Sequence, residues 1–124
     1  ERGMNFVTAT YTNAWAETIA YLKEEDPWAS MARTYSLVIL NNNLNHRLRL
    51  MEQLIRDFQV DGLVIHSAKS CKPYSVGQYD LKRLLMERLG VPSVVIEADI
   101  TDSRAYSEEQ GRVRLEAVFE TLEA

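Results

Sequence analysis

The chain has 124 residues, room for one domain with its own core but not for two. Its composition, 46% hydrophobic and 26% charged, argues against disorder. A formal net charge of −4 leaves no basic stripe to neutralise nucleic-acid phosphates, and no apolar run reaches the roughly 18 residues of a membrane span.

Glu1-Arg2-Gly3 leads into only a short β-like run, which is not the pattern of a signal peptide. The early apolar run without an initiator Met is read as a piece of a longer protein, with a processed or tag-cleaved small protein as the alternative. One cysteine excludes an internal disulfide, fits a reducing cytoplasmic setting, and cannot by itself make a multi-cysteine metal site.

Met4 to Thr10 is rich in β-formers and is predicted as a first strand. Trp15, Ile19 and Leu22 recur at helical spacing and predict a helix over about Asn13 to Lys23. Asp26-Pro27 is a capping residue followed by a proline suited to the first helical position. Trp28, Met31, Tyr35 and Val38 give the next helix its apolar stripe, which ends at Asn41-Asn42-Asn43. Leu44, Leu48, Met51, Ile55 and Phe58 mark a helix from about Leu44 to Phe58.

Asp61-Gly62 is a turn, and Leu63 to His66 is an apolar run expected as a buried strand. Leu81, Leu84, Leu85 and Leu89 define a helix that stops at Gly90, with Pro92 beyond. Ser93 to Ile96 is a third strand. Ser107 to Gln110 is a capping box for a last helix carrying Leu115, Val118, Phe119 and Leu122 on one face. Strands alternating with amphipathic helices predict an α/β fold. The expected arrangement is a three-layer α/β/α domain, flavodoxin-like or Rossmann-like, around a parallel sheet of three or four strands.

Ligands of open parallel sheets bind beyond the carboxyl ends of the strands, so the loops after Thr10, His66 and Ile96 are the candidates. The second carries Cys71 just before a helix start, between Lys69 and Lys72. Helix dipole and cations favour a thiolate, which serves as a nucleophile or a soft metal ligand. A small, partly buried hydrophobe is the competing reading. Ser75 and Gln78 form an S-x-x-Q capping box, and Pro73 and Gly77 shape the backbone. His66 is a weak acid–base candidate, more commonly a structural histidine. After the third strand, Asp99, Asp102 and Arg104 are expected as a local ion-pair and turn network rather than a metal site.

The run Ser70-Cys71-Lys72-Pro73-Tyr74-Ser75-Val76-Gly77-Gln78 resembles a signature of the 2-hydroxyacyl-CoA dehydratase and benzoyl-CoA reductase family. The resemblance continues through Gly90-Val91-Pro92, Glu97-Ala98-Asp99, Asp102-Ser103-Arg104, Ser107 to Gln110, Arg114 and Glu116-Ala117-Val118-Phe119. It is specific from Asp61 to Glu120 and looser from Asp26. It implies a subunit of an oxygen-sensitive enzyme acting on acyl-CoA thioesters. It further implies a [4Fe–4S] cluster held by three cysteines, a second homologous subunit, and an ATP-dependent activator that donates the electron.

In this resemblance Cys71 matches the last cluster cysteine, and Ser70, Lys72, Tyr74 and Gln78 are its cluster-loop neighbours. The other cluster cysteines belong to an N-terminal domain that this sequence does not include. The chain is therefore expected to be a C-terminal domain, without cluster or activity on its own. Two rivals stay open: a non-catalytic partner or maturation domain with a structural Cys71, and a small thiol enzyme using His66 or His46 as base. Dehydratase and ring reductase are not separated. Apolar surface left by an absent domain could promote dimers.

Overall fold

In a computed structural model, which describes residues 3–10, 16, 18–23 and 25–123, the first regular helix begins where Asp26-Pro27 puts it. Helix α1 runs Pro27–Leu37, with the Asp26 carboxylate accepting the Ala29 N–H at 3.1 Å. The three asparagines after it close the turn. Asn41 and Asn42 donate their amides to the carbonyls of Tyr35, Ser36 and Val38, and Asn43 accepts the His46 N–H at 3.0 Å as cap of α2, Leu44–Asp57.

The expected stripe of α1 does not face the core. Trp28, Met31 and Tyr35 are exposed, Trp28 at 81%, and the buried positions are Ser30 and Thr34. Their hydroxyls tie back to Lys23 O, Pro27 O and Ser30 O, so the segment before the helix settles on its polar side. Val38, past the helix end, is buried beside Ile39.

The main core lies between α2 and α4, Gln78–Leu89. Leu48 and Ile55 of α2 meet Leu81 and Leu85 of α4 and Val91, with Leu44, Met51 and Leu63 packed around them. Phe58 falls outside this stripe and caps the helix end, half exposed. Gly90 ends α4 in the left-handed region (φ 69°), its N–H returned to Met86 O.

Strands β1, Leu63–Ala68, and β2, Ser93–Ala98, pair in parallel from Leu63↔Ser93 to Ala68↔Ala98. Each runs two residues beyond the apolar quartet that marks it, so His66 sits inside β1 rather than at its end. Helix α4 connects the strands and packs on both; α5, Glu108–Glu123, packs along β2. A Cβ at Gly62 would lie 2.9 Å from the Leu122 side chain, so glycine there admits the last turn of α5. The Ser107 hydroxyl accepts the Gln110 N–H at 3.4 Å, as the capping box requires.

Among the described residues the sheet has two strands, not the expected three or four. Met4 to Thr10 forms no strand, and Phe6 is 95% exposed. β-Propensity measures fit to a pleated, half-buried surface, and this segment pairs with no strand here. Val64 and His66, alternating to the side opposite Leu63 and Ile65, are likewise exposed. The helix expected over Asn13 to Lys23 falls partly outside the described residues; within them a 3₁₀ turn spans Ile19–Tyr21. No helix among the described residues is long and apolar enough to cross a membrane.

Candidate functional site

The carboxyl ends of β1 and β2 lie side by side because the two strands share a register to their last residues. The Lys69 N–H continues the ladder to Ala98 O at 3.0 Å. The chain then turns twice. The Cys71 N–H bonds Ala68 O, and Cys71 O accepts the Tyr74 N–H, both at 3.0 Å. Cys71 thereby caps α3, a single turn over Lys72–Ser75 with Pro73 near its start. Its side chain makes no capping bond, and the residue is half-buried.

Gln78 and Ser75 act on α3, not as a capping box for α4. Buried Gln78 donates Nε2 to Tyr74 O at 2.8 Å, and the Ser75 hydroxyl reaches Lys72 O at 3.4 Å. The residue before α4 is Gly77 at φ 82°, where a side-chain cap is replaced by a left-handed turn. Of the other cluster-loop neighbours, Ser70 and Lys72 are exposed and Tyr74 is half-buried.

The expected network after β2 divides in two. Arg104 grips Asp102 through Nε and Nη2 at 2.9 and 2.8 Å. Asp99 instead joins the two loops: Oδ2 accepts the Ser70 N–H at 2.9 Å, and Oδ1 accepts the Thr101 N–H and hydroxyl at 2.9 and 2.7 Å. Hydrogen bonding from the Ser70 side chain, then from the Thr101 N–H and hydroxyl, holds the Asp99 carboxyl well below the usual carboxylate range, and the Ser70 N–H adds a smaller contribution.

Asp99 is thus the residue that fixes the loop next to Cys71. Asp99→Ala leaves the Ser70 N–H without its acceptor, and a large shift of the Ser70 amide resonance with faster exchange is expected at neutral pH. The pH response follows from the sign of the shift. A depressed carboxyl stabilises the folded loop fully above its ordinary value near about 4 and loses that contribution as pH falls below it. A Ser70 amide indifferent to both the substitution and acidification contradicts the assignment.

Three contacts have no local signal in sequence. Arg47 of α2 donates Nη1 to Val76 O at 3.4 Å across 29 residues, bracing the Cys71 loop from below. Arg114 of α5 donates Nη1 to Val95 O at 2.7 Å. Tyr79 reaches Glu97 Oε1 at 3.4 Å. His66 is exposed on β1 and His46 half-buried on α2; no hydrogen bond joins either to Cys71. Among the described residues no three His, Cys, Asp or Glu side chains gather as a metal site.

Fold and loop together define an α/β domain presenting one cysteine on a pinned loop where two parallel strands end. The family model of the 2-hydroxyglutaryl-CoA dehydratase D-component matches residues 1–122, and the chain belongs to that family. It is 37% identical over 79% of its length to one of the subunits of benzoyl-CoA reductase from Thauera aromatica, covering 23% of that protein. It is 32% identical over 84% of its length to the alpha subunit of lactoyl-CoA dehydratase from Anaerotignum propionicum, covering 25%. Its identity to the (R)-2-hydroxyisocaproyl-CoA dehydratase alpha subunit of Clostridioides difficile is 30% over 98% of the chain and 29% of that protein. The chain therefore spans about a quarter of the length of these relatives.

Proposed function

We propose that this chain is the C-terminal α/β domain of an iron–sulfur subunit that carries out low-potential electron chemistry on acyl-CoA thioesters. The observation that carries the reading is the placement of Cys71. It is the only cysteine, half-buried, at the strand ends, on a loop whose backbone is held by Ser70–Asp99 and by Gln78 rather than by its own thiol.

A [4Fe–4S] cluster does not fit this chain alone, because one thiolate cannot hold four irons. Cys71 suits a single ligand position, with the remaining ligands supplied outside these 124 residues. Ser70, Lys72, Tyr74 and Gln78 set the loop around that position. When bound, such a cluster supplies one-electron chemistry at low potential.

The partners of this reading are the remainder of the same subunit, a second homologous subunit, an ATP-dependent activator and an acyl-CoA substrate, in the cytoplasm. In the complete subunit, further parallel strands complete a three-layer α/β/α sheet. The sheet face on which Val64 and His66 are exposed supports a covering helical layer on that side.

The test is anaerobic turnover by the complete subunit with its partner and activator. Loss of water from a 2-hydroxyacyl-CoA, or reduction of benzoyl-CoA, is expected. Failure of both in an assembly that carries its iron contradicts the reading, as does turnover by the isolated 124 residues.

A further inference from the structure

Beside the Cys71 loop, between the end of β2 and the start of α5, lies a cleft of about 190 Å³. Three cations from three different elements line it: Lys69 after β1, Arg104 in the 3₁₀ turn Ser103–Ala105, and Arg114 in α5. They face one lining carboxylate, Glu97, in a chain whose net charge is −4. Such a local excess of positive charge runs against the average of the molecule.

Both guanidinium groups are held and only partly used. Asp102 takes Nε and Nη2 of Arg104, leaving Nη1. Val95 O takes Nη1 of Arg114, leaving its other donors. Gln110 and the Tyr106 ring complete the wall; a Cβ at Gly111 would lie 3.1 Å from the Tyr106 hydroxyl, so glycine lets that ring close over α5. A planar carboxylate is satisfied by one guanidinium fork. Three cations lining one cleft match a tetrahedral group with several charged oxygens.

We propose that this cleft is a phosphate subsite for the nucleotide end of coenzyme A. The inference rests on the acyl-CoA reading above and adds the residues that hold the anion. Lys69, Arg104 and Arg114 bind the phosphate oxygens, Asp102 positions Arg104, and Glu97 opposes the charge.

The test is calorimetric titration of the complete subunit with coenzyme A, 3′,5′-adenosine diphosphate, inorganic pyrophosphate and adenosine. Lys69→Gln and Arg104→Gln, both at exposed positions, are each expected to weaken 3′,5′-adenosine diphosphate and coenzyme A about tenfold. Glu97→Gln is expected to tighten both, and adenosine is expected not to bind. Pyrophosphate binding that depends on the same lysine and arginine, without binding of 3′,5′-adenosine diphosphate, overturns the coenzyme A assignment in favour of a free phosphate. Coenzyme A bound equally by all variants overturns the cleft but leaves the acyl-CoA reading standing. No binding of coenzyme A by the unaltered subunit removes both.

Discussion

Cys71→Ser in the complete subunit is expected to lower bound iron roughly tenfold or more, with loss of the cluster's visible absorption and of turnover. Removing even a residue that only supports a metal ligand lowers affinity by about 10–100-fold, so removing a ligand should do at least as much. The substitution separates chemistry from folding. The turn at Cys71 is made by its backbone N–H and carbonyl, and its thiol caps nothing. Serine is a favoured N-cap residue, so α3 should form as well or better. Unchanged thermal unfolding with lost iron supports the ligand role. Retained iron and spectrum would instead make Cys71 a structural residue of a non-catalytic relative.

Leu85→Ala is expected to have the largest effect on stability, about 3 kcal/mol, with Tm lowered by roughly 10 °C. Leu85 is fully buried, and with Leu81 it receives Leu48 and Ile55 of α2. Its loss opens a cavity in the cluster that Leu48, Ile55, Leu81 and Val91 form around it. Against a total stability on the order of 5–15 kcal/mol, such a loss is large. Leu85→Met, nearly volume-conserving, should cost less than about 1.5 kcal/mol. Denaturant unfolding measures both; a loss under about 1 kcal/mol for the alanine variant means that this interface is not the main core.

The same packing explains what could be read in advance. The helices α2, α4 and α5 are legible because each repeats apolar residues at helical spacing, Leu48 and Ile55 in α2, Leu81 and Leu85 in α4, Leu115 and Val118 in α5. The apolar strands were legible for a similar reason, although only their centres were marked. Ser67, Ala68, Glu97 and Ala98 carry no strong hydrophobic signal, yet the parallel register extends both strands over them.

Met4 to Thr10 and the stripe Trp28, Met31 and Tyr35 carry composition that favours burial, but composition does not say what does the burying. Among the described residues nothing pairs with the first, and α1 settles on Ser30 and Thr34 instead. Ser75 and Gln78 had the spacing of a capping box, but Gly77 at positive φ turns the chain between them, so both side chains fold back on α3.

At the site, the candidate cysteine was legible from its position between a strand and a helix. Its setting was not. Closeness in sequence groups Asp99 with Asp102 and Arg104, whereas its carboxylate also binds Ser70, 29 residues away. The cleft that Lys69, Arg104 and Arg114 line together depends equally on the parallel pairing that sets the ends of β1 and β2 side by side.

In the proposed function the Cys71 sulfur is one ligand of an iron–sulfur cluster completed by other parts of the subunit. An anomalous difference map recorded at the iron edge from anaerobic crystals of the complete subunit tests it most directly. An iron peak is expected within bonding distance of Cys71 Sγ. Iron centred elsewhere, with Cys71 Sγ touching only protein atoms, would contradict it.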